Sequence, residues 1–81
     1  MAINDQIKTE VKNLVAEITE VPLEELKEDA QFVEDLGVDS MMALEVVASI
    51  EKKYQKPIPE EKIPTIKSLK DIYNLLDELL G

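Results

Sequence analysis

The chain contains no cysteine, histidine, arginine or tryptophan in its 81 residues, and only two glycines and four prolines. Without cysteine there is neither a disulfide framework nor a protein thiolate, and without histidine the commonest metal ligand and the side chain titrating nearest neutral pH are both missing. A self-contained enzyme with an intrinsic metal is therefore not expected. Nine lysines against eighteen acids leave a formal net charge of -9, so no basic, arginine-bearing face is available to a nucleic-acid backbone. Long apolar runs are also absent: the longest, residues 41–44, holds four residues, where a membrane-spanning helix needs roughly 20. Residues 1–6 lack the basic-then-apolar pattern of a secretory leader. Nucleic acid and membrane insertion are excluded as expectations, and the reading is a cytoplasmic, monomeric protein.

What remains is 44% apolar content in a length suited to one core, so residues 1–81 are expected to form a single domain. Ile3, Ile7, Val11, Leu14, Val15 and Ile18 recur at steps of three and four, which predicts an amphipathic helix. Pro22 ends it, because proline disfavours helical geometry at Val21 and brings no N–H of its own. A long connection runs to Asp39, with Leu23, Leu26, Phe32, Val33 and Leu36 spaced for a packed loop and one helical turn near residues 23–27. Gly37 is the sole internal glycine, pointing to a positive φ or a close backbone approach.

Asp39 is placed to cap a second helix over residues 40–54. Its apolar positions cover more than one stripe, so part of its surface must meet solvent or a partner. Val47, Ile50 and Tyr54 are assigned to the core; Met41, Leu44 and Ala48 fall on another face. After Pro57 and Pro59, residues 60–63 allow a short turn of helix before Pro64. Thr65 then caps a last helix with Ile66, Leu69, Ile72, Tyr73, Leu76, Leu79 and Leu80 at helical spacing. The fold class expected is all-α, with no period-two strand.

Charge is unevenly placed. Residues 1–30 hold three lysines and eight acids, residues 31–51 five acids and no base, and residues 52–81 six lysines and five acids. The base-free stretch contains the junction of loop and second helix together with the exposed apolar positions. That mixture suits a partner with a basic and apolar patch, since rim charges steer encounter and buried apolar anchors hold it. A calcium loop beginning at Asp35 is excluded, because its sixth and twelfth positions would be Ser40 and Val46 in place of glycine and glutamate.

The run Glu34-Asp35-Leu36-Gly37-Val38-Asp39-Ser40-Met41 resembles the Leu-Gly-x-Asp-Ser-Leu/Met signature of acyl carrier proteins. The loop from Pro22 with Phe32 ahead of Leu36 is similar to the family's long first loop. Residues 40–54, 58–63 and 65–80 are similar to its second, short third and fourth helices, so the likeness covers nearly the whole chain. The resemblance implies a four-helix bundle with three main helices. It implies that Ser40 carries 4'-phosphopantetheine, delivered from coenzyme A by a separate magnesium-using transferase, with Asp39 helping to hold the magnesium or to orient that enzyme. The terminal thiol of that arm would hold acyl groups as thioesters for fatty acid, polyketide or related lipid biosynthesis. Partners implied are the phosphopantetheinyl transferase, an acyl-loading enzyme, and a synthase or acyltransferase docking on Asp35, Met41, Leu44, Glu45 and Ala48.

The match departs from the pattern of carriers for ordinary fatty-acid synthesis at Met42, Ala43, Lys52 and Lys53, where acids are common in the family. A specialised carrier is the expectation. An aminoacyl carrier and an unmodified helical interaction module are the alternatives. Peptidyl carriers fit less well, since Gly37-Val38-Asp39 stands where they favour Gly-Gly-His/Asp-Ser.

A core of this size rarely supplies more than about 3 to 5 kcal/mol, and self-repulsion at -9 subtracts from it. Thermal unfolding followed by circular dichroism should move to higher temperature with added NaCl or magnesium chloride. A melting temperature that is flat or falls between 10 and 200 mM salt (about 30 Å and below 10 Å of Debye length) would contradict this.

Overall fold

The computed structural model describes residues 3–80. Its elements in order are α1 (Asp5–Thr19), a 3₁₀ turn (Leu23–Glu25), α2 (Ser40–Tyr54), a second 3₁₀ segment (Glu60–Thr65) and α3 (Leu69–Leu80). No strand occurs among the described residues; one isolated bridge pairs Gln31 with Ser68. The all-α bundle of three main helices and a short one is as the sequence predicts.

Each helix boundary has a local chemical cause. The Asn4 side chain accepts from the Ile7 N–H at 3.0 Å and starts α1, so Ile3 is a buried residue ahead of the helix. At the other end Glu20 takes a left-handed conformation, φ 61°, and its N–H returns to the Ala16 carbonyl, a C-terminal closure that frees the chain for Pro22. Asp39 caps α2 as expected, its Oδ1 accepting from the Met42 N–H at 2.8 Å. After Gln55 closes α2 with φ 54°, the Glu51 carboxylate accepts from the Ile58 N–H at 2.9 Å and turns the chain back.

Two expectations are corrected at the C-terminal side. The short segment runs through Pro64 to Thr65, with a bond from Lys62 N–H to Pro59 O ahead of the proline and one from Ile66 N–H to Ile63 O that spans it. Thr65 does not cap α3: its hydroxyl donates to the Lys62 carbonyl, Ile66 is extended, and the helix begins at Leu69. Ser68 Oγ accepts from the Asp71 N–H, and Asp71 Oδ2 accepts from the Lys67 N–H. This reciprocal arrangement resembles a capping box, and it delays the helix by three residues relative to the pattern of apolar positions.

The core is aliphatic. Val11 and Val15 of α1, Val46 and Ile50 of α2, and Leu69, Ile72 and Leu76 of α3 are buried, joined by Leu26 and Phe32 from the first loop. Val47 and Ile50 are buried as assigned, while Tyr54 is half-buried at the rim. The Thr19 hydroxyl, also buried, donates to the Val15 carbonyl at 2.7 Å. Among the described residues no buried side-chain nitrogen or oxygen lacks a partner.

The loop is held to α3 by main-chain bonds: Phe32 N–H to Lys67 O at 2.8 Å and Lys70 N–H to Glu28 O at 3.0 Å. A second tie joins α1 to the end of α2, where Glu10 Oε1 accepts from the Tyr54 hydroxyl at 3.4 Å and lies 3.6 Å from Lys53 Nζ. Burial, and secondarily the Glu10 carboxylate, push the Tyr54 phenol up to about 12. The folded protein therefore keeps this proton where the unfolded chain loses it, near pH 10. In that window the unfolded state binds fewer protons, so stability falls as pH rises from about 10 to 12. Ultraviolet titration of the Tyr54→Phe variant should lack the highest of the tyrosinate steps, and Glu10→Gln should lower that step in the parent chain. A Tyr54 titration near the free phenol value would contradict the geometry.

Candidate functional site

The signature residues lie where the first loop meets α2. Gln31 organises the loop: its carbonyl accepts from the N–H groups of Asp35 and Leu36, and its own N–H donates to Asp35 Oδ2 at 2.8 Å. Val38 N–H then bonds to Phe32 O, burying Val38 beneath the turn. Gly37 sits between these anchors at φ 69°, and a Cβ there would meet nothing within 4 Å. Of the two reasons the sequence offered for this glycine, positive φ applies and close approach does not.

The turn delivers Asp39 to the cap and Ser40 to the first position of α2, both exposed. A side chain at a helix start faces amides without intrahelical acceptors and the positive end of the helix dipole. Ser40 also lines a cavity of about 360 Å³. One wall is the loop, with Phe32 and Val33; a second is α2, with Ala43 and Leu44 one turn on from Ser40; the third is the second 3₁₀ segment, with Ile63 and Pro64, continued by the extended Ile66. The lining is mainly apolar, with Gln31, Glu34 and Lys67 at its polar margin. The main-chain bond between Phe32 and Lys67 joins two of these walls directly.

The other singled-out residues distribute as follows. Met41 is 75% exposed and Leu44 52% exposed, and Glu45 and Ala48 are exposed beside them. They form a contiguous outer strip of α2, as their spacing implies. Asp35 is exposed too, with one carboxylate oxygen engaged by Gln31. Leu36 and Met42 pack against the core. Phe32 and Ile66, apolar in the sequence pattern, line the cavity, whereas Val47 and Leu76 are buried in the core and Leu36 is outside the lining. Val33, Ile63 and Pro64 were missed. Their signal is faint, because apolar residues beside prolines in a short segment read equally as core or as turn. Among the described residues no group of three or more acidic, histidine or cysteine side chains is arranged to hold a metal, and no helix is long and apolar enough to cross a membrane.

Removing the cap tests this junction. Asp39→Ala should cost about 1 kcal/mol, and Gly37→Ala roughly 1 to 2 kcal/mol through its left-handed backbone, with Gly37→Asn costing less, since asparagine tolerates that region. Urea unfolding with an unchanged m-value is the measurement; a neutral Gly37→Ala would mean that the turn relaxes.

Residues 9–76 match the family described as "Phosphopantetheine attachment site". The "Polyketide-8 synthase acyl carrier protein 2" of Streptomyces avermitilis is 40% identical over 74 residues, covering 91% of this chain and 85% of that protein. The "Acyl carrier protein" of Wolinella succinogenes is 39% identical over 77 residues, 95% of this chain and 96% of its own. A third, the "Acyl carrier protein" of Rickettsia bellii, is 35% identical over 74 residues, 91% of this chain and 86% of its own.

Proposed function

The chain belongs to the phosphopantetheine-bearing acyl carrier family, and from that premise we propose that Ser40 is the attachment residue and that residues 1–81 act as one carrier domain. The observation that carries this is the placement of the Ser40 hydroxyl, exposed at the first residue of α2 and in the lining of an apolar cavity. A phosphoester there would meet the free amides and dipole of the helix start, and an exposed oxygen is open to a separate transferase. When bound, the group supplies a terminal thiol on a flexible arm, on which acyl groups are held as thioesters. The protein's own work is to present that arm and to shelter the apolar cargo between Phe32, Leu44 and Ile66.

Asp39 has a double duty in this reading. One carboxylate oxygen holds the Met42 N–H, and the other is available to the magnesium-using transferase that loads the arm from coenzyme A. The strip Met41, Leu44, Glu45 and Ala48, with Asp35, is the docking face for that transferase, an acyl-loading enzyme and a synthase or acyltransferase. The chain acts as a cytoplasmic monomer and leaves the catalysis to those partners.

The partner set is that of a specialised carrier. Ala43 lines the cavity and Met42 packs inward, so neither adds acidity to the docking strip, and Lys52 is exposed where the helix ends. The relative named as a polyketide synthase carrier supports a dedicated synthase; the other two names are general. A mainly apolar lining suits an aliphatic or polyketide chain better than an aminoacyl group, whose ammonium would need a buried counter-charge.

Incubation with coenzyme A, magnesium and a broad-specificity transferase should add the mass of one phosphopantetheine to the intact chain, and none to Ser40→Ala. A gain that persists in Ser40→Ala, or no gain by a chain whose circular dichroism shows it folded, would refute the assignment.

A further inference from the structure

A second cavity, of about 390 Å³, shares no lining residue with the first. It lies between α1, the first loop and the start of α3. Lys8 and Lys12, one turn apart on α1, face it together with Lys27 of the loop; Thr9 adds a hydroxyl, and Tyr73 forms part of the floor. Glu28 is the one acid in the lining. Acids outnumber lysines two to one in this chain, yet none of the three lysines has a carboxylate within ion-pair distance among the described residues, where Lys53 and Glu10 make the one such pair. Three lysines against one acid leave the lining net positive, and like charges around one concavity repel each other, which favours counter-charge brought by a ligand.

The site is also held in shape. Lys8 Nζ lies 5.5 Å from the centroid of the Tyr73 ring, within cation–π range, and the Tyr73 hydroxyl donates to the Lys8 carbonyl at 3.2 Å. Lys8 and Lys12 are half-buried and the Tyr73 ring is buried, so less side-chain freedom is lost on binding than at an open surface. Lys27 comes from a loop segment tied to α3 through the bond from Lys70 N–H to the neighbouring Glu28 carbonyl.

We propose that this lysine-lined cavity binds a compact anion of two or more charges, a pyrophosphate, phosphate monoester or polycarboxylate. Concavity favours a small ligand with clustered oxygens over an extended acidic protein segment, which would spread its charges across a flat face and bring them against the acids elsewhere on the surface. The site is independent of Ser40 and of the arm, and its test needs only the unmodified chain.

Amide chemical shifts would be followed by NMR while sodium pyrophosphate is titrated in metal-free buffer at constant ionic strength. The expected result is a saturable shift at Lys8, Thr9, Lys12, Lys27 and Glu28, with Gly37 and Ser40 unmoved. Lys12→Gln should weaken the apparent affinity roughly threefold to tenfold, and the Lys8→Gln, Lys12→Gln, Lys27→Gln triple variant should lose the response while keeping the remaining spectrum of the folded chain. Should the triple variant fail to fold, Lys27→Gln alone, on the loop surface, must still weaken binding. Shifts reproduced by sodium chloride at matched ionic strength, shifts unchanged in the lysine variants, or a response to a hexaglutamate peptide without one to pyrophosphate would each overturn the proposal.

Discussion

Everything in this protein hangs on a thin aliphatic contact shared by three helices. The molecule measures 30 × 26 × 19 Å, and its shortest dimension is about two helix diameters. No helix can be surrounded in such a slab. Val11 and Val15, Val46 and Ile50, and Leu69, Ile72 and Leu76 close one seam, and each helix is left with a face that the core cannot use. Full burial of a Val, Leu or Ile side chain contributes roughly 1.5 to 3 kcal/mol, so a few of these contacts decide whether the chain folds at all. The outer strip of α2, the groove beneath the first loop and the lysine side of α1 are these leftover faces, and the roles proposed above are placed on them.

How far the sequence revealed this follows from the range of the interactions. Helix-period patterns placed α1 and α2, and Asp39 was recognisable as a cap because an N-cap bond spans three residues. α3 began later than its apolar spacing implied. Leu69 belongs to the helix, but Ile66 supplies the cavity wall, and apolar periodicity does not distinguish a residue facing the core from one facing a groove. The exposed Met41, Leu44 and Ala48 were legible from the excess apolar girth of α2. Val33, Ile63 and Pro64 were not, because the loop is brought beside the second 3₁₀ segment by the pairing of Gln31 with Ser68 just beyond it, and no local pattern announces a contact of that separation. The lysine cavity was hidden for the same reason: Lys8 and Lys12 are an obvious helical pair, whereas Lys27 joins them only by tertiary folding.

The charges divide into those that hold the fold and those that face outward. Lys53, which looked in sequence like part of a basic end to the docking helix, is partly committed to Glu10 and lies 5.9 Å from the Tyr54 ring centroid. Lys52 is left as the outward-facing member of that pair. Glu51 likewise serves the backbone of Ile58, and Asp35, Asp39 and Asp71 each bind a main-chain N–H. Several acids of an acidic protein thus act as local braces, and net charge alone overstates how much of the acidity is available to partners.

The join between the first loop and α3 is made of peptide groups: Phe32 N–H to Lys67 O, Lys70 N–H to Glu28 O, and the pairing of Gln31 with Ser68. Apart from proline, every amino acid brings the same peptide donor and acceptor. The side chains that line the cavity beside this join, Val33, Ile63 and Ile66, can therefore be exchanged without loss of these hydrogen-bonding groups, Val33 most freely because it is exposed while the two isoleucines also pack against the core. Divergence in what the groove accommodates can accumulate by single substitutions, without the fold having to be solved again each time.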